Sequence, residues 1–236
     1  MVEICGRSEG CARAVLHAGA VEPVARAMRA LPREERVRAD GIGVLASLAS
    51  CSHDGAACVL RARGAELVAG AMRFAPAAAE VQERGCRAVG ALARASDRGV
   101  RALVDVGAPA LCAAAVDAHP ADAHVLAAAA CALCDMCCAG PSTGGREAVI
   151  ACRGVEAVVL AALHVADAGA RAEPLLIPLT ALGLACPAEL TRAFETLAPG
   201  SPLLPLARDL MALREAREGD AAFAASELRK RSLDAA

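Results

Sequence analysis

GCARAVLHAGAVEPVARAM (10–28), GAACVLRARGAELVAGAM (55–72), GVRALVDVGAPALCAAAV (99–116) and GREAVIACRGVEAVVLAAL (145–163) are four versions of one stretch. Their starts lie 45, 44 and 46 residues apart, and each carries a second glycine at Gly19, Gly64, Gly107 or Gly154. A proline recurs at Pro32, Pro76 and Pro120, each 44 residues from the last, with no counterpart in the fourth copy. Self-similarity at this period signals a stacked repeat architecture.

Each copy reads as three helices. A short one (Cys11–His17 in the first copy) stops at the second glycine, as a left-handed helix end requires. A second, Val21–Ala30, places Val21, Val24 and Met28 on one face until the proline region breaks it. The third carries apolar or small residues at i, i+4, i+7, i+8 and i+11. These are Val37, Gly41, Val44, Leu45 and Leu48, then Val81, Gly85, Ala88, Val89 and Leu92, then Val125, Ala129, Ala132, Leu133 and Met136. The small residue at the second place predicts a tight helix crossing. No copy can bury such a face alone, whereas stacked copies seal one another. The expected core is Val44, Leu45, Leu48, Val89, Leu92, Leu133 and Met136, joined by Val24, Met28, Leu67, Met72 and Val159.

Composition agrees. The chain of 236 residues is roughly a quarter alanine and 1% aromatic, with no Trp or Tyr. Strands favour β-branched and aromatic residues, and alanine is the best helix former. Net charge is −2 and no polybasic tract occurs, so nucleic acid and membrane surfaces are not expected partners. Lys230 is the only lysine and asparagine is absent, a bias that GC-rich codons explain. Mean hydropathy is +0.43. Alanine accounts for it, since the longest uncharged stretch, Pro174–Ala188, is too short to span a bilayer and holds three prolines. The opening MVEICGRSEGC has no apolar run of a signal peptide. With twelve cysteines this favours reduced thiols in the cytoplasm.

The period, the short–medium–long helix order and the string VQERGCRAVGALA (81–93) resemble the armadillo repeat over residues 10–186. Met72-Arg73, Pro76 and Gly85-Cys86 are similar to armadillo arrays found in leucine-rich-repeat kinases and in many protist proteins. No kinase or leucine-rich segment is present, so kinase activity does not carry over. The resemblance implies an all-α, right-handed α-solenoid of about four repeats, starting near 10, 55, 99 and 145. Residues 1–9 read as the tail of a preceding repeat or an N-terminal segment. Residues 187–236 read as capping helices, one of them Leu203–Arg217, and a polar tail.

In that family the third helix lines the concave, ligand-holding face. The matching positions here are Asp40, Gly43, Ser47 and Ser50; Arg84, Arg87, Ala91 and Arg94; Ala128, Cys131, Asp135 and Cys138. Nuclear-import receptors of the family carry Trp and Asn at two of these places. This chain instead has Gly43 and Ser47, Arg87 and Ala91, Cys131 and Asp135. The expected binding residues are therefore Arg84, Arg87, Arg94, Ser47 and Asp135. The expected partner is a protein or extended peptide, acidic where it meets the arginines.

Other chemistry is thin. Cys131, Cys134, Cys137 and Cys138 cluster within a predicted helix, with Cys112 and Cys152 elsewhere. Metal binding or redox response there is the alternative function. Packing is the expectation for Cys134 and Cys137, because Ala46, Ala49, Gly90 and Ala93 stand at the same places in other copies. GPSTGGRE (140–147) lacks the lysine of a phosphate loop and follows a helix, so it reads as a two-residue insertion in a repeat connection. The histidines His17, His53, His119, His124 and His164 form no catalytic or metal spacing. No enzyme activity, cofactor, metal or small-molecule substrate is expected.

Overall fold

The computed structural model describes residues 9–167, 173–197, 201 and 203–204. The segments 1–8 and 205–236, and with them most of the expected N-terminal tail and capping helix, lie outside the described residues. Among those described, all regular structure is helical. Repeat one comprises α1 (Glu9–His17), α2 (Val21–Ala30) and α3 (Glu35–Cys51). Repeat two comprises α4 (His53–Arg61), α5 (Gly64–Phe74) and α6 (Ala79–Ala95). Repeat three comprises α7 (Asp97–Asp105), α8 (Ala108–Ala118) and α9 (Ala123–Cys137). Repeat four comprises α10 (Gly145–Ala151), α11 (Gly154–Asp167) and α12 (Glu173–Ala185), and α13 (Pro187–Glu195) follows.

Second and third helices pack on their equivalents in the next repeat, as do the first helices from α4 onward. The third helices form the most extensive row, α3 against α6, α6 against α9 and α9 against α12. One continuous core runs through the stack and contains Val44, Leu45, Leu48, Val89, Leu92, Leu133, Met136, Met28, Met72 and Val159. Val24 and Leu67 sit half-buried against it. Repeat four keeps the third-helix spacing with buried Leu175, Leu179 and Leu182, although Pro178 interrupts the hydrogen bonding of α12.

The small residue of the third helix does create a close crossing. A Cβ on Gly41 would stand 2.6 Å from Cγ and Sδ of Met28, and one on Gly85 the same from Met72. In repeat three the sizes are exchanged: Val116 replaces the methionine and Ala129 the glycine.

The corner between first and second helices revises the glycine reading. At this corner the residues with positive φ are Gly19 (74°), Arg63 (59°), Gly107 (71°) and Arg153 (58°). These are 44, 44 and 46 residues apart, so the repeat is more regular than the glycine doublets indicate. Gly64 and Gly154 stand one residue later, at the first position of a helix. There a Cβ would meet Val59 Cγ1 at 2.3 Å and Val149 Cγ1 at 2.7 Å. Two arginines therefore accept a left-handed backbone, at a cost of about 1–2 kcal/mol, while the neighbouring glycine serves packing.

The extra two residues of repeat four lie where GPSTGGRE predicts them. A Cβ on Gly55 would collide with the carbonyl of Leu48, on Gly99 with that of Leu92, and on Gly145 with that of Met136. Those glycines follow their carbonyls by seven, seven and nine residues. The insertion folds as a 3-10 turn, Pro141–Thr143. Ser52 and Ser96 cap α4 and α7 by accepting from Gly55 N and Gly99 N at 3.0 and 3.1 Å, and Thr143 Oγ1 accepts from Gly145 N at 3.2 Å.

Candidate protein-binding surface

On the row α3–α6–α9, the charged residues of the expected stripe are paired within the protein. Arg84 is 22% exposed in its side chain and bridges repeats: its guanidinium meets Asp40 of α3 at 2.9 Å and Glu80 at 2.5 Å. Arg36 approaches Asp40 from the same helix at 3.9 Å. Arg94 bridges the other way, to Asp135 of α9. Gly90 leaves room for that carboxylate, since a Cβ there would stand 2.9 Å from Asp135 Oδ2. Burial pushes the Asp135 carboxyl up, and Arg94 opposes that shift. Arg87 differs: it is 63% exposed and, among the described residues, meets only Glu83, four residues back on its own helix, at 2.9 Å.

Ser47 is half-buried and donates to the Gly43 carbonyl at 2.9 Å. Ala91 and Gly43 are buried, whereas Ser50, Cys131 and Cys138 are exposed. Thus Arg94 and Asp135 come together as a pair, Arg84 joins Asp40 rather than them, and Ser47 turns back onto its own helix.

Cross-repeat anchors of the second helices escaped the sequence reading. Arg29 donates to the carbonyl of Ala62 at 2.6 Å, and Arg73 donates to that of Val106. The two donors lie 44 residues apart, and so do the two acceptors. The Met-Arg pair before the proline thereby acquires two jobs. The methionine fills the crossing left by the glycine, and the arginine ties a first-helix end of the next repeat. His53 contacts the Ala95 carbonyl at 2.7 Å and His119 that of Pro76 at 2.9 Å, so both serve as ties between segments.

Gln82 closes α5 by donating to the carbonyls of Met72 (3.0 Å) and Ala75 (2.9 Å). Its equivalent in repeat one is Arg38, buried, with its guanidinium carbon 3.7 Å from the centre of the Phe74 ring. Among the described residues no hydrogen-bond partner meets Arg38 Nη1, and burial lowers its pKa.

Cys134 and Cys137 are buried, as packing predicts, and Cys186 joins them from the N-terminal end of α13. The Cys137 and Cys186 sulfurs are 3.6 Å apart, and those of Cys134 and Cys138 3.9 Å. Among the described residues no three His, Cys, Asp or Glu side chains gather in a metal-holding arrangement. Nor is any single described helix long and apolar enough to cross a membrane.

No family model matches the sequence, and no curated protein matches it. Solved structures do match in shape. A designed armadillo repeat protein of the YIII(Dq)4CqI type superposes with a TM-score of 0.65 at 15% identity, over 91% of this chain and 89% of that one. Another, solved in complex with the peptide (KR)4, gives 0.63 at 14% identity, over 89% and 88%. An engineered protein from a structural genomics programme gives 0.63 at 18% identity, over 89% and 86%. The chain is an α-solenoid. Its repeats are of the armadillo type.

Proposed function

We propose that the chain is a non-enzymatic interaction scaffold that holds an extended, acidic peptide or protein segment along the concave face formed by α3, α6 and α9. The observation that carries this reading is the row itself: three third helices in one register, whose equivalent positions recur every 44 residues while the side chains at them differ. An extended ligand has a matching repeat, which a single pocket does not. The neighbour solved with (KR)4 is a repeat protein holding a basic peptide. Arginines on the proposed face here argue for the opposite sign of ligand.

The internal ion pairs rank the arginines. Arg87 is the most available, because an exposed i,i+4 pair contributes only about 0.3–0.5 kcal/mol and an incoming carboxylate displaces Glu83 at little cost. Arg94 is half-engaged with Asp135, and Arg84 is the most committed, held by two carboxylates. Ser47 and Asp135 flank this arginine centre and complete the proposed contact set. We place the scaffold in the cytoplasm, where its twelve cysteines stay reduced.

The test is fluorescence anisotropy with an alternating acidic octapeptide, its basic counterpart and a neutral one. The acidic peptide binds best, binding weakens with salt, and the triple Arg→Glu variant at 84, 87 and 94 loses it. Equal binding of the acidic peptide by the triple variant refutes this assignment of the face.

A further inference from the structure

Four thiols converge where α9 ends. Cys134, Cys137 and Cys138 come from its last turn and Cys186 caps α13. They form two close couples with different surroundings. Cys137 and Cys186, 3.6 Å apart, are both shut off from solvent. Cys134 and Cys138, 3.9 Å apart, join a buried thiol to an exposed one. Cys131, the other exposed cysteine of α9, has no such partner thiol among the described residues.

We propose that Cys138 and Cys134 are a peroxide-reactive dithiol, in which exposed Cys138 takes the oxidant and Cys134 closes a disulfide with it. This goes beyond the scaffold reading and does not depend on it. In the first step the Cys138 thiolate attacks one oxygen of hydrogen peroxide. The O–O bond breaks, an S–O bond forms, and the departing hydroxide takes a proton to become water. The product is a sulfenic acid on Cys138. In the second step the Cys134 sulfur, shedding its proton, attacks the Cys138 sulfur. The S–S bond forms, and hydroxide leaves with that proton as a second water. Two thiols lose two electrons and one peroxide is reduced to two waters.

The surroundings favour this division of labour. The hydrogen bond from the Cys134 thiol lowers Cys138 to about 7, with burial and Asp135 opposing and Arg146 of α10 assisting. The same bond, with burial, pushes Cys134 well up, so it stays protonated until the sulfenic acid forms beside it. Burial pushes Cys131 up, and Asp135 adds to the shift. Burial also raises Cys137 and Cys186, both of them closed to solvent. Closing the bond needs movement. Cβ atoms four residues apart on a helix lie about 5–6 Å apart, and a disulfide brings them to about 3.8 Å. Cys138 is the cap of its helix, held there by its N–H to the Cys134 carbonyl at 2.9 Å. Beyond it lies the two-residue insertion, with Gly140 and Gly144, that the connections after α3 and α6 lack. The last turn therefore has slack that the ends of α3 and α6 lack, since Ser52 and Ser96 start the next helix at once.

The experiment exposes the reduced full chain to stoichiometric hydrogen peroxide, alkylates the remaining thiols and maps them by peptide mass spectrometry. Alkylated thiols fall by two from twelve, and the new bond joins Cys134 to Cys138. At pH 7 Cys138 alkylates about tenfold faster than Cys131, and its rate rises to half-maximum near pH 7. Cys138→Ser abolishes the disulfide. Cys134→Ala leaves a Cys138 sulfenic acid that dimedone captures. These variants install the residues that repeat one carries at the same places, Ser50 and Ala46, and the mapping on the unaltered chain stands even if either fails to fold. A bond between Cys137 and Cys186 with Cys138 still reduced, equal reactivity of Cys131 and Cys138, or survival of all twelve thiols overturns the proposal.

Discussion

Helices α6 and α9 occupy the same slot in successive repeats and fill it with different chemistry. The exposed side of α6 carries Glu80, Glu83, Arg84, Arg87 and Arg94, and its crossing with α5 is a glycine against a methionine. On α9 the matching residues are mostly alanine and cysteine, and its crossing with α8 is an alanine against a valine. The backbone path is common to both up to the last turn, where α9 stops two residues earlier. What is shared is therefore the volume enclosed between neighbouring helices, and the surface chemistry is free to vary around it.

The largest effect tests the shared part. Leu92 of α6 and Met136 of α9 hold the same place and are both fully buried. Leu92→Ala and Met136→Ala should each lower unfolding free energy by about 2–5 kcal/mol, read from denaturant midpoints at constant slope. If one is costly and the other neutral, the two repeats are not equivalent at their cores.

A smaller effect tests the exchange of sizes. Gly85→Ala alone places a Cβ 2.6 Å from Met72, an overpacking worth about 1–3 kcal/mol. Met72→Val alone leaves a gap. Together they copy repeat three, so the double variant should recover most of the combined loss. Strict additivity of the two single losses would show that these residues do not share one space.

Much of this was legible in the primary structure, for a physical reason. The third-helix periodicity and the glycine–proline punctuation are local, and local patterns survive in a linear reading. The core residues follow from them, as does the insertion before Gly145. The two left-handed arginines do not, because Arg63 and Arg153 adopt a conformation their type disfavours next to a glycine that invites misassignment. The ties from Arg29 to Ala62 and from Arg73 to Val106 were hidden because the acceptors are main-chain carbonyls, which have no residue signature. The stripe Arg84, Arg87 and Arg94 was visible as arginines. Its partners Asp40 and Asp135 lie one repeat away on either side, where only the stacking brings them into reach.

Arg38 and Gln82 offer a third comparison, between repeats one and two. Gln82 satisfies two carbonyls at the end of α5, while Arg38 buries a charged group whose Nη1 has no partner among the described residues. Arg38→Gln loses the contact with Phe74. It also removes a desolvated charge and offers an amide to the carbonyls at the end of α2. The expected outcome is a gain of about 1 kcal/mol, measured as a raised denaturation midpoint. A loss of similar size would show that the stacking of Arg38 on Phe74 outweighs the unmet hydrogen bond.

The smallest expected effect on stability lies on the surface where α6 and α9 differ most. Arg87 is exposed and touches Glu83 within its own helix, so Arg87→Ala should change unfolding free energy by less than about 0.5 kcal/mol. Arg94→Ala should cost somewhat more, because it strands Asp135, whose carboxyl is already raised by burial. Affinity for an acidic peptide should rank the other way. Arg87 gives up little to meet a ligand carboxylate, whereas Arg94 must first release Asp135, so Arg87→Ala weakens binding more. Anisotropy titrations of both variants, set beside their denaturation curves, separate the two orders. If the variant that loses more stability also loses more affinity, the arginines act as struts between repeats, and the acidic-ligand reading of α6 fails.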